Sequence, residues 1–201
     1  MSNEVMDEAL KLIETFEPGR IFFHKDFRNI EDKQRLRNNL MILVENHTIN
    51  KLLSGIYEKP LNEEDHGELN TEERVDNFAY AVANQNTWYI GPKGDFALDR
   101  IGIFGKYPHE YTYVSSGPYK EYNINGINIS FTNTACKNVS HLSDITILII
   151  QVIRALGKEN ITDEVIMKLK EYLSAEDKAT VLKESLGITY WVYAVIKEVA
   201  R

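Results

Sequence analysis

Glu31-Asp32-Lys33-Gln34-Arg35-Leu36-Arg37-Asn38-Asn39-Leu40-Met41-Ile42-Leu43-Val44-Glu45 decides the fold, together with His47-Thr48-Ile49-Asn50-Lys51-Leu52-Leu53-Ser54-Gly55-Ile56-Tyr57-Glu58-Lys59-Pro60 behind it. In the first run Leu36, Leu40 and Leu43 share one face at helical spacing, with Val44 at its edge. At about 100° per residue, Gln34 and Asn38 stand nearly opposite, and Arg35 and Arg37 lie on the two flanks. The spacing predicts a helix over 31–45 with an apolar side and an Arg, Gln and Asn side. The second run places β-branched and aromatic residues around Ser54-Gly55, which predicts a β-hairpin ending at Pro60.

Upstream, Val5, Ala9, Leu12, Ile13 and Phe16 recur at helical spacing and predict a helix over 4–16, stopped by Pro18-Gly19. Arg20 to Phe23 reads as a strand stub, and His24 to Phe27 as one helical turn. The order over residues 1–60 is then helix, short strand, turn, helix, hairpin, which is that of a winged helix-turn-helix. Such a module lays its second long helix in the DNA major groove. There Arg pairs bidentately with guanine, and Asn or Gln with adenine. Gln34, Arg35, Arg37 and Asn38 are the candidate base readers. Lys33, Lys51, Arg20 and Lys25 are the candidate phosphate contacts. The same residue types also suit a plain solvated helix face.

Downstream, Thr71 is the expected N-cap of a helix reaching about residue 84, with Val75, Phe78 and Val82 inward. Trp88 to Ile90 reads as a strand and Gly91-Pro92 as a turn. Phe96 to Ile101 predicts a short helix, and Tyr111 to Val114 a strand. Tyr119 to Phe131 alternates around Asn125-Gly126, a type I′ hairpin signal. Residues 141–200 read as helices. Ile145 to Leu156 is apolar on most sides and is expected at the centre. Thr162 caps the next helix, Ser174 with Asp177 forms a capping box for a third, Gly187 stops that one, and Trp191 to Val199 lines the last. The expected fold class is α+β: an N-terminal winged helix-turn-helix followed by a mixed α/β domain closed by a C-terminal helical bundle. The expected boundaries are 1–60 for the first domain, 61–76 for an acidic linker and 77–201 for the second domain.

Over 201 residues the chain carries 23 Lys and Arg against 30 Asp and Glu, a net charge of -7, which on average disfavours nucleic acid. The distribution is uneven. Residues 18–59 hold eight bases and five acids, whereas 60–76 hold seven acids and one base, and 1–17 five acids and one base. The acidity therefore sits in the first helix and the linker, which leaves modest, salt-sensitive DNA binding open. A single cysteine excludes a disulfide framework and a Cys-based zinc finger. The run Ile145 to Ile153 is too short to span a membrane, and the acidic N-terminus is unlike a signal peptide. A cytoplasmic location with no membrane partner is expected.

The sequence assigns no catalytic residue, cofactor or metal. Gly91-Pro92-Lys93-Gly94 lacks the spacing of a phosphate loop, Gly102 and Gly105 do not make a dinucleotide fingerprint, and no His-Glu-x-x-His is present. His24, His47, His66, His109 and His141 are scattered, Cys136 reads as a small buried residue, and Arg20-x-x-x-His24 has no supporting signal beside it.

Three stretches resemble the AbiEi-type antitoxins and their relatives of unknown function. These are Pro18 to Phe27 with Leu36-x-x-x-Leu40 and Leu52 to Pro60; Ile90 to Gly102; and Val152 to Lys158, together spanning roughly residues 5–198. The resemblance implies a winged helix that binds and represses its own promoter DNA. It also implies an α/β body that opposes a cognate nucleotidyltransferase-like toxin. Ser54 stands where such proteins often carry Arg or Lys before the wing glycine, and Gly91-Pro92 replaces an expected Thr-Gly. Two other readings stand beside it: a protein-interaction module whose winged helix is only scaffold, and a nucleotide-handling enzyme built on residues 71–139. The sequence does not specify an oligomeric state.

Overall fold

In the computed structural model, which describes residues 4–61, 70–103, 110–135 and 139–201, the chain divides into two compact units, Met1–Gln85 and Asn86–Arg201. The described residues form eight α-helices and two sheets, a mixed α+β architecture.

In the first unit, helix α1 (Glu4–Glu14) buries Ala9 and Ile13. Strand β1 (Ile21–Phe23) leads into a 3-10 turn over His24–Phe27. The Asp26 carboxylate closes that turn by accepting the Phe23 N–H at 2.7 Å. Helix α2 (Lys33–Glu45) starts two residues later than its apolar spacing suggests, because the Asp32 carboxylate accepts the Arg35 N–H at 2.9 Å and so takes the N-cap position. Strands β2 (Asn50–Leu53) and β3 (Ile56–Glu58) make the expected hairpin. Gly55, at φ 77°, supplies the left-handed residue of its turn. All pairs are antiparallel and the strand order is β1-β3-β2. The core joins Ile13, Phe16, Phe22, Phe27, Leu36, Leu40, Leu43, Ile49 and Tyr57.

Helix α3 (Thr71–Asn86) begins inside the expected linker, so residues 71–76 are helical, and the residues before them at 62–69 lie outside those described. Its cap is Asn70, not Thr71. The Asn70 side chain accepts the Glu73 N–H at 2.9 Å and the Glu73 carboxylate accepts the Asn70 N–H at 2.9 Å, a reciprocal capping box. A caboxylate three residues into the helix reaches back to the cap backbone, which Thr71 as cap would not have offered it. Val75, Phe78 and Val82 are buried as read.

The second unit holds a four-stranded sheet of order β4-β5-β7-β6, with β4 (Ile90–Pro92), β5 (Tyr111–Ser115), β6 (Lys120–Ile124) and β7 (Ile127–Asn133). Strands β5 and β7 are parallel and the other pairs antiparallel. Gly91-Pro92, read as a turn, belongs to β4. Pro92 lacks an N–H, and an edge strand is where a sheet tolerates that loss. Asn125 and Gly126, at φ 52° and 87°, turn the β6–β7 hairpin as their left-handed preference predicts.

Helix α4 (Asp95–Arg100) and three C-terminal helices, α6 (Asp163–Tyr172), α7 (Ala175–Glu184) and α8 (Tyr190–Val199), surround or adjoin the apolar helix α5 (Asp144–Leu156). Helix α5 buries nine of its residues, Thr146 and Gln151 among them. The Thr162 hydroxyl accepts the Val165 N–H, and Ser174 and Asp177 make the expected capping box.

Two contacts in this unit carry measurable consequences. Gly117 sits directly against the Trp88 indole, so any Cβ there overlaps the ring. Gly117→Ala is expected to lower stability by about 1–3 kcal/mol through overpacking, read as a lower urea midpoint in tryptophan fluorescence. The Glu184 carboxylate accepts both the N–H and the hydroxyl of Ser143, at 2.8 and 2.7 Å, and so ties the end of α7 to the start of α5 across 41 residues. Burial alone would raise its pKa, but hydrogen bonds from Thr146 and Ser143 and the charge of Lys183 hold it below the ordinary glutamate value. A carboxylate lowered by folding stabilises above its unfolded pKa, and that contribution is lost as pH falls through the folded value. Glu184→Gln is therefore expected to cost about 1–2 kcal/mol near neutrality, with the difference from the native chain vanishing in acid below the ordinary glutamate range.

Candidate nucleic-acid interface

Helix α2 shows one face to the core and one to solvent, and the division follows its sequence. Leu36, Asn39, Leu40 and Leu43 are buried, while Gln34, Arg35, Arg37 and Asn38 are all exposed. Asn39 is only 2 % exposed and is the one polar residue on the inner face, which the leucine spacing gave no reason to single out. Met41 and Ile42 are exposed on the outer side, at 54 % and 42 %, beside the polar residues.

Gln34 and Asn38 sit one turn apart, and the Gln34 amide donates to Asn38 Oδ1 at 3.3 Å. Arg35 lies 3.8 Å from the Asp32 carboxylate, both side chains being more than half exposed, so the pair restrains the guanidinium only weakly. Arg37, on the other flank, is close enough to act electrostatically on both His24 and Tyr57. Burial, then the charges of Arg37 and Lys33, hold the His24 imidazole below its ordinary pKa against a hydrogen bond involving Lys33 that raises it, and the His24 Nε2 is buried with no hydrogen-bond partner among the described residues. Burial pushes the Tyr57 phenol up while Arg37 pulls it down. A His whose pKa is lowered beside two cations marks a cation-rich corner of the unit that spacing along the sequence does not reveal, since His24, Lys33 and Arg37, and Tyr57 come from three separate elements.

The candidate phosphate contacts divide into two groups. Lys25 and Lys51 are exposed. Lys33 spends its ammonium on the Phe27 and Arg28 carbonyls, at 2.9 and 3.2 Å, which closes the C-terminal end of the 3-10 turn. The Arg20 guanidinium lies 4.1 Å from the centre of the Phe16 ring, a cation–π contact that orients it along the protein surface. Lys59, half-buried, likewise spends its ammonium on backbone, donating to the Glu14 and Phe16 carbonyls at 3.2 and 2.6 Å. Arg20 and His24 thus have different neighbours, Phe16 for one and Arg37 with Lys33 for the other.

Elsewhere the first unit has an open cleft of about 540 Å³ between the Pro18-Gly19 turn and Tyr80, Ala81 and Asn84 of α3. The second unit has one of about 820 Å³ floored by Leu98, Leu156 and Val165 and edged by Asp95, Glu159 and Glu164. Among the described residues no group of three or more His, Cys, Asp or Glu is placed to hold a metal ion, and no helix is long and apolar enough to cross a membrane. His66, His109 and Cys136 lie outside the described residues.

A model described as a family of unknown function, DUF6088, matches residues 8–181. No curated protein matches the chain. The match covers well over half of the sequence, and the chain belongs to the DUF6088 family.

Proposed function

We propose that this DUF6088 member is an antitoxin-like DNA-binding regulator that occupies its own promoter through a winged helix in residues 1–60 and opposes a nucleotidyltransferase-like toxin. In this reading it is not an enzyme and acts in the cytoplasm. The observation that carries it is the solvent face of α2, where Gln34, Arg35, Arg37 and Asn38 all stand exposed on a helix flanked by the β1-β3-β2 sheet. The element order α1, β1, 3-10 turn, α2, β2, β3 supports a winged helix with α2 as its reading helix. The β2–β3 hairpin would then be the wing, with Lys51 on it. The partner comes from the resemblance to AbiEi-type antitoxins alone.

The test is a gel shift of the full chain with the DNA upstream of its own gene at several salt concentrations. Each neutralised phosphate contributes about -0.9 to the slope of log affinity against log salt. Lys25 and Lys51 alone give a slope of about -2, and engagement of Lys33 and Arg20 as well brings it to about -4. No binding at low salt overturns the reading. The internal contacts of Lys33 and Arg20 favour a second reading, a protein-interaction module without DNA binding. Rescue of growth on coexpression with the neighbouring gene's product, in the absence of any gel shift, would select it.

A further inference from the structure

The outer row of α2 is not uniformly polar, and its composition points to a particular base sequence. Gln34, Asn38 and Met41 follow one another along the helix at intervals of four and three residues, on the side opposite Leu36, Leu40 and Leu43. With Gln34 donating to Asn38 Oδ1, the joined amides keep an acceptor, Gln34 Oε1, and a donor, Asn38 Nδ2, on this exposed face. Adenine offers the complement in the major groove, an N6 donor beside an N7 acceptor, whereas guanine offers two acceptors and would set one against Gln34 Oε1. Met41 stands about 4.5 Å further along the helix axis, close to the roughly 3.4 Å step between base pairs. Its side chain is 54 % exposed with no polar atom to satisfy, and the apolar feature of a major groove is the thymine methyl.

We propose that Gln34 and Asn38 together read an adenine and that Met41 covers the methyl of a thymine in the adjoining pair, so that the ligand class is duplex DNA with an A·T-containing centre. This rests on the DNA-binding reading above. It adds to that reading an exposed methionine as a specificity-determining residue, in a position where a solvated helix face gains nothing from one.

The experiment selects ligands for the full chain from a duplex library randomised over two helical turns at low salt. The selected duplex is then compared with a version carrying uracil for thymine at each position in turn, which deletes only the methyl. Loss of one covered methyl is expected to weaken binding about fourfold. The same change leaves Met41→Ala unaffected, and the exposure of Met41 keeps that variant folded, as its thermal melting will show. Replacing the adenine that the amides read by guanine is expected to weaken binding about 5- to 150-fold, an effect that Gln34→Ala should remove. Enrichment of duplexes without A·T pairs at their centre, or equal affinity for uracil and thymine at every position, overturns the inference and leaves DNA binding standing. Failure to enrich any duplex overturns both.

Discussion

Phe22→Ala is expected to destabilise the first unit by about 3–5 kcal/mol, the usual cost of truncating a fully buried phenylalanine. Phe22 is fully buried and its ring lies 5.2 Å from Phe16, 5.9 Å from Phe27 and 5.7 Å from Tyr57. Those three residues come from the turn after α1, the 3-10 turn and β3. A cavity at their centre therefore loosens the core that these elements share with the α2 leucines. For a domain of this size total stability is of the order of 5–15 kcal/mol, so the loss removes much of it. Both tryptophans, Trp88 and Trp191, belong to the second unit. Urea unfolding followed by tryptophan fluorescence reports on that unit, while backbone circular dichroism reports on both. The expected result is a large fall in the dichroism midpoint and a smaller change in fluorescence. An unchanged dichroism curve would mean that the aromatic cluster is not the core of the first unit.

The double variant Arg35→Ala/Arg37→Ala carries the second large effect. Each arginine, if bidentate to a guanine, contributes about 1–3 kcal/mol to specific binding. Their joint removal is expected to cost about 2–6 kcal/mol where the two act independently. Both are exposed, and Arg35 is tied only weakly to Asp32 at 3.8 Å, so the fold survives the change. Lys51→Ala supplies the contrast, with a roughly uniform loss across sequences and a salt slope smaller by about 1. An internal marker accompanies the loss of affinity. Arg37 is one of the charges that hold His24 below its ordinary pKa, after burial, so its removal raises the His24 titration toward the ordinary range, which NMR follows directly. In the native chain the depressed His24 makes folding stability fall as pH drops below the ordinary histidine value, and the variant shows less of that loss. Full affinity for the selected duplex in the double variant would remove α2 from the interface.

Much of the first unit was legible in order because its signals are local. Leucines at helical spacing, the Pro18-Gly19 stop and the Ser54-Gly55 turn each act through the backbone of neighbouring residues, as the Asn125-Gly126 turn does in the second unit. The misplaced details are also local in origin but depend on competition. Asp32 and Asn70 took the capping positions because their side chains find the N–H three residues on. Gly91-Pro92 became strand and not turn because β5 is there to pair with it, a partner some twenty residues away in sequence.

Charge followed a similar division. The basic character of residues 18–59 and the exposure of Gln34, Arg35, Arg37 and Asn38 follow from composition and helical period. Which cations remain available does not. Lys33, Lys59 and Arg20 look equivalent to Lys25 and Lys51 in the sequence, yet carbonyls at 2.9 and 2.6 Å and an aromatic ring at 4.1 Å occupy the first three. The sequence by itself determined the elements, their order and the polar face of α2, because periodicity and turn chemistry are short-range. Only the tertiary structure decided which cations are engaged by carbonyls or a ring, and it brought Arg37 and Lys33 of α2 to bear on His24 of the preceding turn, because those meetings depend on how separate elements pack.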